Sequence, residues 1–285
     1  MDDPRLHQEL VLPDGRTLGY AEVGDPDGFP LVFLHGTPSS RLDVVGIDEA
    51  ATRHGWRVLA PDRPGHGRSS PQPGRTILDW SIDFGWFVDA VVERPGTVAL
   101  LGFSGGAPYA LAIASRCPER VSVTALVSGW GPPDRPGAYD GMSAGAQLLD
   151  ESTRHVPGVT RTLFGLIGGV VRRRPDLGAQ ILGRRHPIDP AIDPFLEALR
   201  QGAAGPTEDL GLIARPFGFE LGEVAGPVHL WHGDADADVP PHHAEFIARV
   251  VPESTLTIVA GADHGLLYER ASEILGRLAE VTPGQ

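Results

Sequence analysis

The chain has 285 residues, enough for one large domain or two of ordinary size, and its 41% hydrophobic and 21% charged residues are those of a folded globular protein, not of a disordered or collagen-like one. Its formal net charge is −13, from 37 acidic and 24 basic residues, so it repels phosphate backbones and anionic membranes and neither is expected as a partner. All 24 basic residues are arginine, which excludes a P-loop lysine and a Schiff-base site for pyridoxal phosphate.

The opening MDDPRLHQEL carries acids where a secretory leader carries positive charge and then an apolar run, so export is not expected. Cys117 is the single cysteine, which excludes an intramolecular disulfide and thiolate metal clusters and leans towards a cytoplasmic setting. From His7 to Asp25, apolar positions alternate around Pro13-Asp14-Gly15, which predicts a β-hairpin. Four continuous apolar runs follow, LVFLHG (31–36), WRVLAPD (56–62), TVALLGFS (97–104) and VTALVSG (123–129), the mark of strands buried on both faces. Within 76–94, Ile77, Trp80, Phe84, Phe87, Val88 and Val91 recur at helical spacing, with Thr76 as a cap and Pro95-Gly96 as the stop. Strands alternating with helices predict a parallel sheet covered by helices.

Residues 130–225 break that rhythm. They show no strand pattern, but Val159, Leu163, Phe164, Ile167 and Val170 predict a helix over 159–173, closed by Arg172, Arg173 and Arg174 before Pro175, where cations suit the helix dipole. The apolar run from Leu163 to Val171 is about half the length that a bilayer crossing needs. We read 130–225 as a helical cap inserted into a core formed by 1–129 and 226–285. The alternation resumes with PVHLWHGD (227–234), a helix after Pro240-Pro241, TLTIVAG (255–261) and a last helix over 265–280, which brings the sheet to eight strands.

Gly102-Phe103-Ser104-Gly105-Gly106 places a serine between a predicted strand and a helix over 107–116. A serine at such a turn must take strained backbone angles, and small residues two positions away on either side let strand and helix close on it. A serine hydroxyl needs a base, and the base an orienting acid. His264, in the loop after the last strand, can serve, because the loops leaving a parallel sheet emerge on one edge. Asp234, Asp236 and Asp238 all follow the strand before it, and chemistry alone does not choose among them.

In order, the segments LVFLHGTPSSR, PDRPGHGRSS, LGFSGGAPYALA, LWHGDADADVP and GADHG resemble the α/β-hydrolase superfamily, of the kind with a helical cap. The resemblance implies an α/β fold, a mostly parallel eight-stranded sheet flanked by helices. It implies Asp236 as the acid, from Gly233-x-x-Asp236-x-x-Val239-Pro240, with Asp238 its main rival, so that the triad is Ser104, Asp236 and His264. It also implies an oxyanion hole from the backbone N–H groups of Thr37 and Gly105, and loop-ordering roles for His35 and His66. Phe103 and Trp130 are expected to line an apolar substrate pocket. His229, His232, His242 and His243 lack carboxylates at ligand spacing, so no metal is expected, and no cofactor is implied. Gly106 is followed by Ala107-Pro108, without the tryptophan after the nucleophile of proline-iminopeptidase relatives, which argues against a peptidase; serine at 104 separates the chain from the dehalogenase and epoxide-hydrolase branches.

The expected function is a cofactor-independent serine hydrolase cleaving a small carboxylic ester, thioester, lactone or related acyl compound through an acyl-serine. Two alternatives use the same residues: a non-hydrolytic biosynthetic enzyme (lyase, C–C bond cleavage or cyclase), and a ligand receptor retaining a slow triad. Oligomeric state is not legible in the chain.

Overall fold

The computed structural model describes residues 3–92, 96–184, 186, 188–189 and 191–282. Eight strands, β1 (Gln8–Val11), β2 (Thr17–Gly24), β3 (Phe29–Leu34), β4 (Trp56–Pro61), β5 (Val98–Phe103), β6 (Val121–Val127), β7 (Val228–Gly233) and β8 (Ser254–Val259), form one sheet in the order β1-β2-β4-β3-β5-β6-β7-β8. The β1–β2 hairpin is antiparallel and joins β4 antiparallel, whereas β3 to β8 all run parallel. Among the described residues eleven α-helices surround or extend it: α1 (Asp48–Arg53), α2 (Trp80–Val91), α3 (Ala107–Arg116), α4 (Ala144–His155), α5 (Pro157–Arg173), α6 (Pro175–Ile181), α7 (Pro194–Ala198), α8 (Ala204–Ile213), α9 (His242–Val250), α10 (Leu266–Glu269) and α11 (Ala271–Val281).

Burial explains why the central strands read as continuous apolar runs. Along β3, Val32 and Leu34 enter the core layer that contains Phe84, Phe87 and Leu111 of α2 and α3, and Leu31 and Phe33 enter the opposite layer with Ala51 of α1 and Ile274 and Leu278 of α11. Side chains of alternate residues therefore meet two different cores, and both must be apolar. The edge strand β8 has one covered face and alternates between half-buried and exposed positions for most of its length.

Three helix expectations need correction. The helix expected over 76–94 begins at Trp80 and ends at Val91. Asp79 Oδ2 accepts both the N–H and the hydroxyl of Thr76, and the Thr76 hydroxyl takes the Asp79 N–H, so these four residues form a turn that precedes the helix instead of its first turn. Pro95, the expected stop, lies outside the described residues. The last helix is divided at Arg270, which leaves the helical region (φ −121°, ψ 20°) and separates α10 from α11. Among the described residues of 130–225 there are five α-helices, α4 to α8, where the apolar period located only the one that proves to span Pro157–Arg173. None of the helices among the described residues is long and apolar enough to cross a membrane.

Candidate active site

Six loops leave the carboxyl ends of β3 to β8, and residues singled out by sequence lie on all six. Ser104 follows β5 at φ 51°, in the left-handed region that an L-residue enters only under constraint. The constraint is visible on both sides of it. A Cβ at Gly106 would lie 2.0 Å from the Leu34 carbonyl oxygen, and one at Gly102 would lie 2.9 Å from Ala107 Cα, so both positions must be glycine for strand, turn and helix to close around the serine. The next helix, α3, carries Pro108 in its first turn, where a missing N–H costs nothing, and directs its positive end at the turn.

Ser104 Oγ lies 2.9 Å from His264 Nε2, and His264 Nδ1 lies 2.8 Å from Asp236 Oδ2. An ionised carboxylate only accepts, so Nδ1 carries the proton and Nε2 offers its lone pair to the serine hydroxyl. Asp236, which the resemblance implies as the acid, separates clearly from Asp234 and its rival Asp238. Asp236 is buried and meets the imidazole, while Asp234 is exposed and accepts the Gly261 N–H at 2.7 Å, and Asp238 is exposed at the cavity, donating its N–H to Asp236 Oδ1 at 3.0 Å.

Burial alone would raise the Asp236 pKa, but hydrogen bonds from His232, His264 and the Val239 N–H hold it well below the usual carboxylate range. His264 is pulled the other way: burial would lower it, and the hydrogen bond and charge of Asp236 outweigh that and raise it above the ordinary histidine value. His232 was not singled out for this role. Its Nε2 donates to the Val239 carbonyl at 2.6 Å and lies 3.4 Å from Asp236 Oδ2, so it steadies the loop that carries the carboxylate. Its place one residue before Gly233, at the end of β7, was the available signal.

Thr37 and Gly105 face one another beside the serine, since a Cβ at Gly105 would fall 2.7 Å from Thr37 Oγ1. His35 is buried, accepts the Arg63 N–H on Nε2 at 3.1 Å and donates from Nδ1 to the Gly36 carbonyl at 2.8 Å. Burial, helped by the charge of Arg63, holds it well below the ordinary histidine value, and burial pushes the neighbouring His66 down to about 3. Both rings therefore stay neutral and order the loops. His229 bonds Thr255 Oγ1, His242 bonds the Asp140 carbonyl, and His243 accepts from the Gly131 N–H. Among the described residues no group of three or more His, Cys, Asp or Glu is arranged to hold a metal ion.

A cavity of about 600 Å³ opens at Ser104 and His264, within the usual range for small-molecule sites. Phe103 and Trp130 both line it, the first with its ring centroid 5.5 Å from that of His264. Most of the remaining apolar wall comes from α4, α5, α7 and α8, through Leu149, Phe164, Ile167, Phe195 and Leu210, which the sequence reading did not single out as site residues.

A doubly covered, mostly parallel sheet with a strained serine at one strand end, and a histidine and an aspartate from two later loops beside it, defines an α/β-hydrolase fold and site. A profile of the alpha/beta hydrolase family matches residues 31–277, and the chain belongs to that family. It is 29% identical to a non-heme chloroperoxidase from Streptomyces lividans over 90% of this chain and 93% of that protein. It is 28% identical to a pimeloyl-[acyl-carrier protein] methyl ester esterase from Aromatoleum aromaticum, over 81% and 89% respectively. Among solved structures, a thermophilic esterase from Thermogutta terrifontis superposes with a TM-score of 0.67 at 23% identity, covering 96% of this chain and 97% of that one, a likeness of fold. The chain is accordingly an enzyme of the hydrolase kind.

Proposed function

We propose that the protein is a serine hydrolase that cleaves a small carboxylic ester, thioester, lactone or related acyl compound through an acyl-serine. The observation that carries this reading is the unbroken relay from Ser104 Oγ to His264 Nε2 and from His264 Nδ1 to Asp236, at the mouth of a largely apolar cavity. His264 takes the hydroxyl proton as Ser104 Oγ attacks the carbonyl carbon, and Asp236 stabilises the imidazolium and keeps its orientation. The negative oxygen of the tetrahedral intermediate is held by the N–H groups of Thr37 and Gly105. Its collapse breaks the bond to the alcohol, thiol or enol leaving group, which takes the proton from His264. Water, deprotonated by His264, then attacks the acyl-serine and releases the acid.

Residues 130–225 act as a cap whose apolar side chains, Trp130 at its start among them, select the acyl portion, with Phe103 completing the pocket from the core side. Similarity to the methyl ester esterase supports an ester as the substrate class. A cytoplasmic setting fits the single cysteine.

The test is labelling with a fluorophosphonate followed by peptide mapping. The label is expected on Ser104, and a protein that stays unlabelled while folded overturns the proposal. Mass spectrometry of the products separates hydrolysis, which adds one water, from a lyase or cyclase reaction.

A further inference from the structure

One buried carboxylate has no part in the relay. Asp209 lies on α8, within the inserted residues, yet its side chain is fully buried beneath the loop that carries Thr37. The approach is made possible by two glycines: a Cβ at Gly205 would lie 2.2 Å from the Gly65 carbonyl oxygen, so the first turn of α8 rests directly on the turn after β4. Asp209 stands one helical turn further along the same face. There it accepts from Thr37 Oγ1 at 2.5 Å, Tyr109 Oη at 2.6 Å, Arg63 Nη2 at 2.7 Å and Arg75 Nη2 at 3.0 Å. Arg63 also donates to the carbonyls of His35 at 2.5 Å and Gly36 at 2.9 Å and to Thr37 Oγ1 at 2.7 Å. Thr37 Oγ1 is therefore bonded by a donor and an acceptor from different parts of the chain.

A buried ion network of this kind adds little stability beyond what packed apolar side chains would give, because desolvation offsets most of the Coulomb gain. What it does supply is direction. We propose that Asp209 is a positioning residue: through the Thr37 hydroxyl and the Arg63 guanidinium it fixes residues 35–38 so that the Thr37 N–H faces the oxygen that becomes negative, and seating α8 on the core completes that donor pair. The inference rests on the serine-hydrolase reading above. It makes the inserted segment a part of the anion site as well as a wall of the cavity.

Glu197 on α7 provides the comparison. It also ties the insertion to the core through a buried ion pair, with Arg41 at 2.6 Å, but the Arg41 side chain bonds Asp62, Leu6 and His7 and not the loop at 35–38.

The experiment measures kcat and KM on p-nitrophenyl butyrate, thermal midpoints, and inhibition by a trifluoromethyl ketone that forms a tetrahedral adduct. Asp209→Asn and Thr37→Val are each expected to lower kcat about 10- to 100-fold, with KM within about 3-fold and inhibitor affinity falling in parallel, since a donor misplaced by about 1 Å costs about that much. Combined, they should cost little more than the worse of the two, because both break one link. Glu197→Gln should lower the thermal midpoint and leave kcat unchanged. Unchanged kcat in both Asp209→Asn and Thr37→Val, or effects that multiply independently, overturns the proposal and leaves the serine-hydrolase reading intact. If Asp209→Asn does not fold, Thr37→Val decides, because it removes only the hydroxyl. Full turnover by Ser104→Ala would overturn both.

Discussion

At the carboxyl edge of the sheet, Ser104, Asp236 and His264 each leave the end of a different parallel strand, whereas α4 to α8 reach the same cavity from the stretch between β6 and β7, which among the described residues contains no strand. The strand ends are set by backbone ladders such as Gly102 beside Leu126 and Gly233 beside Val259, and ladder register does not drift by a fraction of a residue. The helices between β6 and β7 are set by side chains, Asp209 on Arg63, Glu197 on Arg41 and Phe164 against Phe195, and by the close approach of Gly205 to Gly65. Ser104, Asp236 and His264 thus sit at ends fixed by backbone ladders, while much of the cavity wall is held to the core by a few side-chain contacts.

The comparison is tested most severely at the sheet edge. Ser104→Ala should lower turnover of an activated ester by at least about 10⁴-fold with an unchanged circular dichroism spectrum; near-normal rates would break it. Asp236→Asn should cost about 10³- to 10⁴-fold, because the amide can offer the imidazole its N–H and favour the wrong tautomer, while Asp238→Asn should cost less than about 10-fold. A reversed order would return the acid's role to Asp238.

The pH profile sharpens the same point. His264 must be neutral to accept the serine proton, so kcat/KM should fall as pH drops, with a midpoint above the ordinary histidine value of about 6.5 because Asp236 raises it. Asp236→Asn should move that midpoint down; a midpoint unmoved by this change would disconnect the pair. The smallest effects belong to the insertion's outer face. Leu166 on α5 is 65% exposed, and Leu166→Ala should change stability by less than about 0.5 kcal/mol, against about 3 kcal/mol or more for Phe164→Ala, which is 2% exposed. Chemical denaturation followed by circular dichroism measures both, and equal losses would mean that the two faces of α5 are not distinguished by packing.

Much of this was legible beforehand for a specific reason. Buried strands need apolar side chains on both faces, so β3 to β6 announced themselves as continuous runs, and a turn that strains a serine needs small neighbours, so Gly102 and Gly106 marked Ser104. The start of α2 was misplaced because Thr76 and Asp79 exchange hydrogen bonds in a turn that has the same residue types as a helix cap. Helices α4, α6, α7 and α8 were not located individually, since α6 and α7 span only seven and five residues, the leucines of α4 are adjacent (Leu148, Leu149) and the large apolar residues of α8 cluster at its end (Leu210, Leu212, Ile213), so none repeats a helical spacing. Asp209 was missed altogether: an aspartate in a helical stretch reads as a solvated face until the arginines that bury it are known.

The layered α/β plan, its eight strands, the serine turn and the histidine are legible in the chain alone, because strand burial and backbone strain impose local rules on residue type. Only the folded chain shows that Asp236, the acid implied by the family resemblance, meets the imidazole while Asp234 bonds elsewhere, and that a carboxylate on α8 lies beneath the Thr37 loop. Those are matters of distance between segments far apart in the chain, and such distances follow from how strand ends and inserted helices pack, which no local pattern encodes.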